Sequence, residues 1–154
     1  MGQEERQPDA QTQQGVDVEP VTIDYVGALT CSSCHREIYN SWLQTGHAKS
    51  MKEIKTSTQN QRCLACHVTD AFSMLDQSIG CEACHGPGSV YSHDDVMRNS
   101  ELAHLLGLKT VDASFWLETC GVCHGKGSGE ENFDGLTEWQ KIAHPKIIVE
   151  RETK

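Results

Sequence analysis

Eight cysteines in 154 residues fall as four pairs, Cys31/Cys34, Cys63/Cys66, Cys81/Cys84 and Cys120/Cys123, each pair two residues apart and each followed at once by a histidine. The four tags read CSSCH, CLACH, CEACH and CGVCH. Two thiols at this spacing can add to the two vinyl groups of a haem, and the next histidine then lies beneath the iron as its proximal ligand. A secreted disulfide framework or a zinc ribbon would also use paired cysteines, but neither needs a histidine after every pair. Histidine is 8 of 154 residues, so a chance His after any one pair is about one in twenty, and four in succession exclude accident. The expected cofactors are four haem c, held by the eight cysteines, with His35, His67, His85 and His124 as proximal metal ligands.

Four histidines remain, His47, His93, His104 and His144, equal in number to the distal positions of four six-coordinate irons. His47 follows Gly46 at the end of an amphipathic stretch, and His144 precedes Pro145, where a helix must stop. His93 and His104 are eleven residues apart, about three helical turns, and face the same side if one helix is continuous through both. Leucines 102, 105 and 106 surround His104, so core packing is its alternative role. Met51, Met74 and Met97 could also serve as distal ligands, although gap filling is the commoner use of methionine. Trp42, Trp116 and Trp139 suit packing against flat porphyrin faces.

The positioning elements must be modest, because only 37% of the chain is hydrophobic. The expectation is a mainly α fold with extensive loops and little or no sheet, cored by haem rather than by layered side chains. Residues 1–20, rich in Gln, Glu and Asp, read as a disordered tail, and 21–154 as a single domain. An extended lead is expected over 21–30, then helix from His35 to Ile54 with a break at Gly46. A polar loop follows over 56–62. The short interval from His67 to Cys81 makes the second and third haems neighbours. Gly86-Pro87-Gly88 signals a turn, followed by helix from Ser92 to Leu106 closed by Gly107. An amphipathic piece from Val111 leads into the fourth tag, a glycine-rich loop spans 125–135, and a last helix covers Leu136 to Ala143. The spacing between tags varies too much for a solenoid.

The formal net charge is −9, which disfavours nucleic acid and suits redox partner proteins that dock through a basic patch. No apolar run is long enough to cross a membrane. Haem attachment to such tags follows export, so the expected location is periplasmic or extracellular. Residues 1–20 lack the apolar stretch of a signal peptide, as in an exported chain whose leader is gone.

Beyond the generic tags, YVGALTCSSCHREIYNSWLQTGHAKSM (25–51), RCLACHVTD (62–70), GCEACHGPGSVYSH (80–93) and WQKIAHPK (139–146) together resemble the cytochrome c-554 family, in the expected order. That resemblance implies periplasmic electron transfer; the family's best-known member accepts electrons from hydroxylamine oxidoreductase. It also implies crossed ligation, with His47 serving the haem of Cys81/Cys84, His93 that of Cys120/Cys123 and His144 that of Cys31/Cys34. The haem of Cys63/Cys66 is five-coordinate in the type member, whereas the histidine count here offers His104 to close it. An electron carrier is therefore the first expectation. A reductase acting on nitric oxide or a nitrogen or sulfur oxyanion at an open second haem is the alternative, and a subunit of a conducting cytochrome filament is a third.

Overall fold

The computed structural model describes residues 22–54, 61–70, 77–111, 116–125 and 132–144. The expected tail (1–20), residues 56–60 of the polar loop, Met74, Phe115 and Pro145 lie outside the described residues, and the loop's last two residues, 61 and 62, are helical instead. Among the described residues every regular element is helical and no strand occurs, as the mainly α expectation requires.

Residues 22–27 are non-helical, and α1 (Ala28–Ser32) begins three residues before the first tag, started by Gly27 at φ +82°. Helix α2 (Arg36–Trp42) follows the tag. The helix expected from His35 to Ile54 is present as two pieces, α2 and a 3₁₀ segment at His47–Glu53, with the break before His47 that Gly46 signals. The Thr45 hydroxyl causes part of the break: it donates to the Trp42 carbonyl (2.7 Å) and accepts from the Ala48 amide (3.4 Å), offering the backbone a local alternative to the helical ladder.

Next come α3 (Gln61–His67) and α4 (Cys81–His85), each containing a whole tag. Residues 86–88 are non-helical, with Gly86 at φ +82°, and the turn follows at residues 89–92. The helix expected from Ser92 to Leu106 is also divided, into α5 (Asp94–Met97) and α6 (Ser100–Leu105). Asn99 is extended and its side chain caps α6 by accepting from the Leu102 amide (3.2 Å), so a new helix starts there. Gly107, at φ +107°, closes α6 while the Leu108 amide reaches back to the Ala103 carbonyl (2.9 Å). Helix α7 (Trp116–Thr119) runs into a 3₁₀ turn, Cys120–Val122, and α8 (Gly135–Ile142) is capped by Asp134.

These elements are too short to make a core of their own. Among the described residues the buried apolar side chains are Ala28, Tyr91 and Ala103, and no large side chain is fully buried. Leu29, Leu105 and Val122 are each more than 70% exposed. A chain that buries so little of its own apolar surface leaves that role to another apolar body.

Candidate functional site

Each tag is one tight turn. The His35 amide donates to the Cys31 carbonyl (2.9 Å) and the His124 amide to that of Cys120 (2.8 Å), while the second and third tags lie within α3 and α4. This spacing puts both sulfurs and the imidazole along one side of a turn. No disulfide joins the eight cysteines. Burial pushes the thiols of Cys84 and Cys120 up, and that of Cys123, beside Cys66, to about 12.

Of the eight cysteines expected to hold haem, Cys34 is the one the fold does not enclose. It is exposed, whereas Cys31, Cys63, Cys66, Cys81, Cys84, Cys120 and Cys123 are half-buried. The cause is local. Helix α1 ends at Ser32 and α2 begins at Arg36, so Cys34 lies on the turn between two helices rather than inside one, as Cys66 and Cys84 do. The neighbouring Ser33 hydroxyl lies 3.8 Å from Cys34 Sγ. Equal enclosure of the two attachment thiols therefore fails at the first tag, where one side is open to solvent.

The imidazoles of two tags are oriented by main-chain carbonyls. His67 Nδ1 meets the Ser50 carbonyl at 2.9 Å and His85 Nδ1 meets the Lys109 carbonyl at 2.8 Å. A carbonyl only accepts, so Nδ1 carries the proton and Nε2 keeps its lone pair, which is the tautomer an iron requires. Burial, with His144 and His35 nearby, also lowers the His85 pKa, against the Lys109 hydrogen bond. His35 Nδ1, by contrast, is buried with no hydrogen-bond partner, so no carbonyl orients this ring.

Of the four non-tag histidines, two sit against tag histidines. The His47 ring centre is 6.0 Å from that of His124, and the His144 ring centre is 5.9 Å from that of His85. Two metal–imidazole bonds of about 2 Å each hold their ring centres roughly 6 Å apart. The resemblance implied other couples, His47 with the third tag and His144 with the first. Burial, then the neighbouring His124, lowers the His47 pKa and keeps its ring neutral. His93 stands exposed at the N-cap of α5, and among the described residues no ring contact joins it to a tag histidine. His104 bends back on its own helix end: Nδ1 donates to the Leu108 carbonyl (2.7 Å) and Nε2 accepts from the Thr110 hydroxyl (3.1 Å). With the helix divided at Asn99, His93 and His104 do not share one helical face.

Phe133 stacks on His124, ring centres 4.4 Å apart and planes 13° from parallel. The sequence places it in a glycine-rich loop, where a lone aromatic among glycines was the available signal. Ser50 is the other unforeseen contributor. Its buried hydroxyl donates to the His67 carbonyl (2.6 Å) and accepts from the Ile79 amide (3.1 Å). Thr69 joins the same strap through Ser78 and Gly80 (2.6–3.0 Å), so the second and third tags are neighbours, as their short separation predicts. Trp42 donates its indole N–H to the Ile79 carbonyl (2.9 Å) in that strap.

The first and third tags meet around Glu82, which accepts from the amides of Val26, Gly27 and Gly88, and around Tyr91. The second and fourth meet through their sulfurs: Cys66 Sγ lies 3.9 Å from the Val122 carbonyl and Cys123 Sγ 3.9 Å from that of Ala65.

Paired cysteines and a following imidazole in one turn, with the rings of His67 and His85 aimed by their Nδ1 bonds, on a sparse helical frame are the attachment pattern of c-type haem. The family described as cytochrome c554 and c-prime matches residues 30–86. Cytochrome c-554 of Nitrosomonas europaea is 28% identical over 136 residues, which cover 65% of this chain and 57% of that protein. The chain is thus similar to the cytochrome c-554 family over its first and third tags and the segment between them. It spans little more than half the length of that relative. No solved structure matches it. No helix among the described residues is long and apolar enough to cross a membrane.

Proposed function

We propose that residues 21–154 form one domain that binds four haems c and passes single electrons between partner proteins outside the cytoplasm. The observation that carries this reading is the pair of Nδ1–carbonyl bonds at His67 and His85, which present Nε2 for a metal within tags whose cysteines no disulfide joins. Bound haem iron supplies the one-electron couple. The chain's part is to tether each porphyrin by two thioethers, fix the proximal ring and restrict access of water. His47, His93 and His144 are the distal ligands. The ring couples support His47 opposite His124 and His144 opposite His85. Imidazole on both sides favours low potentials, because no methionine sulfur ligates the iron to raise them. The acidic chain, at −9 before haem propionates are counted, suits donors and acceptors with basic docking faces.

One observation favours a second reading at the haem of Cys63/Cys66. Both ring nitrogens of His104 are engaged locally, which supports leaving it out of the ligand set and the second iron open to a small molecule such as nitric oxide or an oxyanion. Electron paramagnetic resonance of the oxidised protein separates the two. High-spin signal from one haem in four, with rapid carbon monoxide binding after reduction, upholds the open site. Low-spin signal alone, with slow or absent binding, means a closed site and a carrier only. His144→Ala should add one high-spin haem; an unchanged spectrum removes His144 from the ligands.

A further inference from the structure

Three tags carry small or neutral residues between their cysteines, Ser-Ser, Leu-Ala and Gly-Val; the third carries Glu82. Its side chain is only 2% exposed. An uncompensated buried carboxylate costs several kcal/mol, so its surroundings must answer for it. They do so with main-chain N–H groups. Oε1 accepts from Gly88 (2.7 Å) and Val26 (3.0 Å), and Oε2 from Gly27 (2.8 Å) and Val26 (3.2 Å). Both oxygens thus face donors, the pattern an ionised carboxylate needs.

Those donors belong to the lead into the first tag and to the segment after the third. The Gly27 peptide gives its N–H to Glu82 and turns its carbonyl toward Cys31 Sγ, 4.0 Å away. Glu82 itself adjoins Cys81, and the buried Tyr91 lies within electrostatic range of Glu82, Cys31 and Cys81 together. Gly88 is moulded to the carboxylate: a Cβ there would come within 2.9 Å of Oε1 and 3.1 Å of Val26 Cγ2. A neutral glutamine would offer one acceptor oxygen and turn its NH2 against the remaining main-chain donors, so the cradle selects a carboxylate.

We propose that Glu82 is a positioning residue that locks the first tag to the third and holds a fixed negative charge between the two haems they carry, lowering the potentials of that pair relative to the other two. The inference rests on the haem reading given above. A buried charge is weakly screened, so its field reaches both irons and favours their ferric forms.

The test is Glu82→Gln in the full haem-loaded chain, which keeps the volume, removes the charge and exchanges one acceptor oxygen for an NH2. Mass spectrometry of the denatured sample reports haem content, and spectroelectrochemical titration reports the potentials. The expected result is four haems retained, with two of the four one-electron steps moved positive together and the other two moved much less. Four haems with all potentials unchanged would overturn the role of Glu82, whereas an absence of haem in the native protein would overturn the haem reading instead. Should Glu82→Gln not assemble, the native protein decides. Reduction-induced infrared difference spectra with isotope-labelled glutamate should show an ionised carboxylate band displaced as the low-potential pair takes up electrons. A spectrum without that band contradicts the proposal.

Discussion

The two tag junctions are built from different materials. Where the first and third tags meet, the protein supplies the contact itself, through the Glu82 oxygens on three amides, Tyr91 on the Gly86 carbonyl (2.5 Å), and Asp24 and Ser89 bonded reciprocally (2.8 and 3.0 Å). Where the second and fourth meet, cysteine sulfurs approach carbonyls at 3.9 Å, and Val122 is 74% exposed. The first junction can hold its shape by hydrogen bonds alone. Among the described residues the second shows these sulfur contacts in place of such a network, and the haems proposed for its tags would complete it. The contrast is between a junction that hydrogen bonds preform and one that the proposed haems would order.

Haem deprivation should break this contrast most visibly. In chain expressed without haem attachment, hydrogen exchange should leave the amides of Val26, Gly27 and Gly88 protected at least about tenfold over those of residues 120–124. Equal exchange at both junctions would show that neither is preformed. Gly88→Ala attacks the first junction alone. Its new methyl meets Glu82 and Val26 at overpacked distances, so stability should fall by about 1–3 kcal/mol in thermal or denaturant unfolding, without loss of haem. A neutral result would mean that the carboxylate does not sit against Gly88.

Ser50→Ala tests the strap between the second and third tags. It deletes the hydroxyl shared by the His67 carbonyl and the Ile79 amide, at a cost of about 1–3 kcal/mol. Because the Ser50 carbonyl also orients the His67 ring, the second haem's spectrum should broaden while the others hold. The smallest effect belongs to Tyr91→Phe, about 0.5–1.5 kcal/mol for the lost bond to Gly86. Burial, with Glu82, Cys31 and Cys81 nearby, raises the Tyr91 pKa above its ordinary value of 10.0. The folded protein therefore keeps the phenol protonated where the unfolded chain ionises, and stability falls as pH rises past 10. Tyr91→Phe should flatten that alkaline slope; an identical slope in the variant would assign it elsewhere.

Much of the site was legible in sequence because the tag carries its own geometry: two thiols and an imidazole within one turn need no tertiary information. The helical class and the sparse core followed from 37% hydrophobic content. The misjudged elements have local causes. The break ahead of His47 was legible from Gly46, but apolar periodicity ran through Asn99, whose side chain caps a new helix there and removes the face that His93 and His104 were expected to share. The exposure of Cys34 was equally hidden, since four tags of one pattern give no sign of which will fall between helices. Glu82 and Ser50 were invisible because their partners lie 6 to 56 and 17 to 29 residues away. The ring couples of His47 and His144 likewise depend on long-range packing that no spacing rule encodes.

The central claim is that each tag is a haem attachment turn. It is tested most directly by the mass of the intact, denatured native protein isolated from its own host. The account predicts the polypeptide mass plus four covalently bound haems, with no cysteine open to alkylation, the exposed Cys34 included. A chain bearing no haem, or one whose cysteines are paired as disulfides, would contradict it.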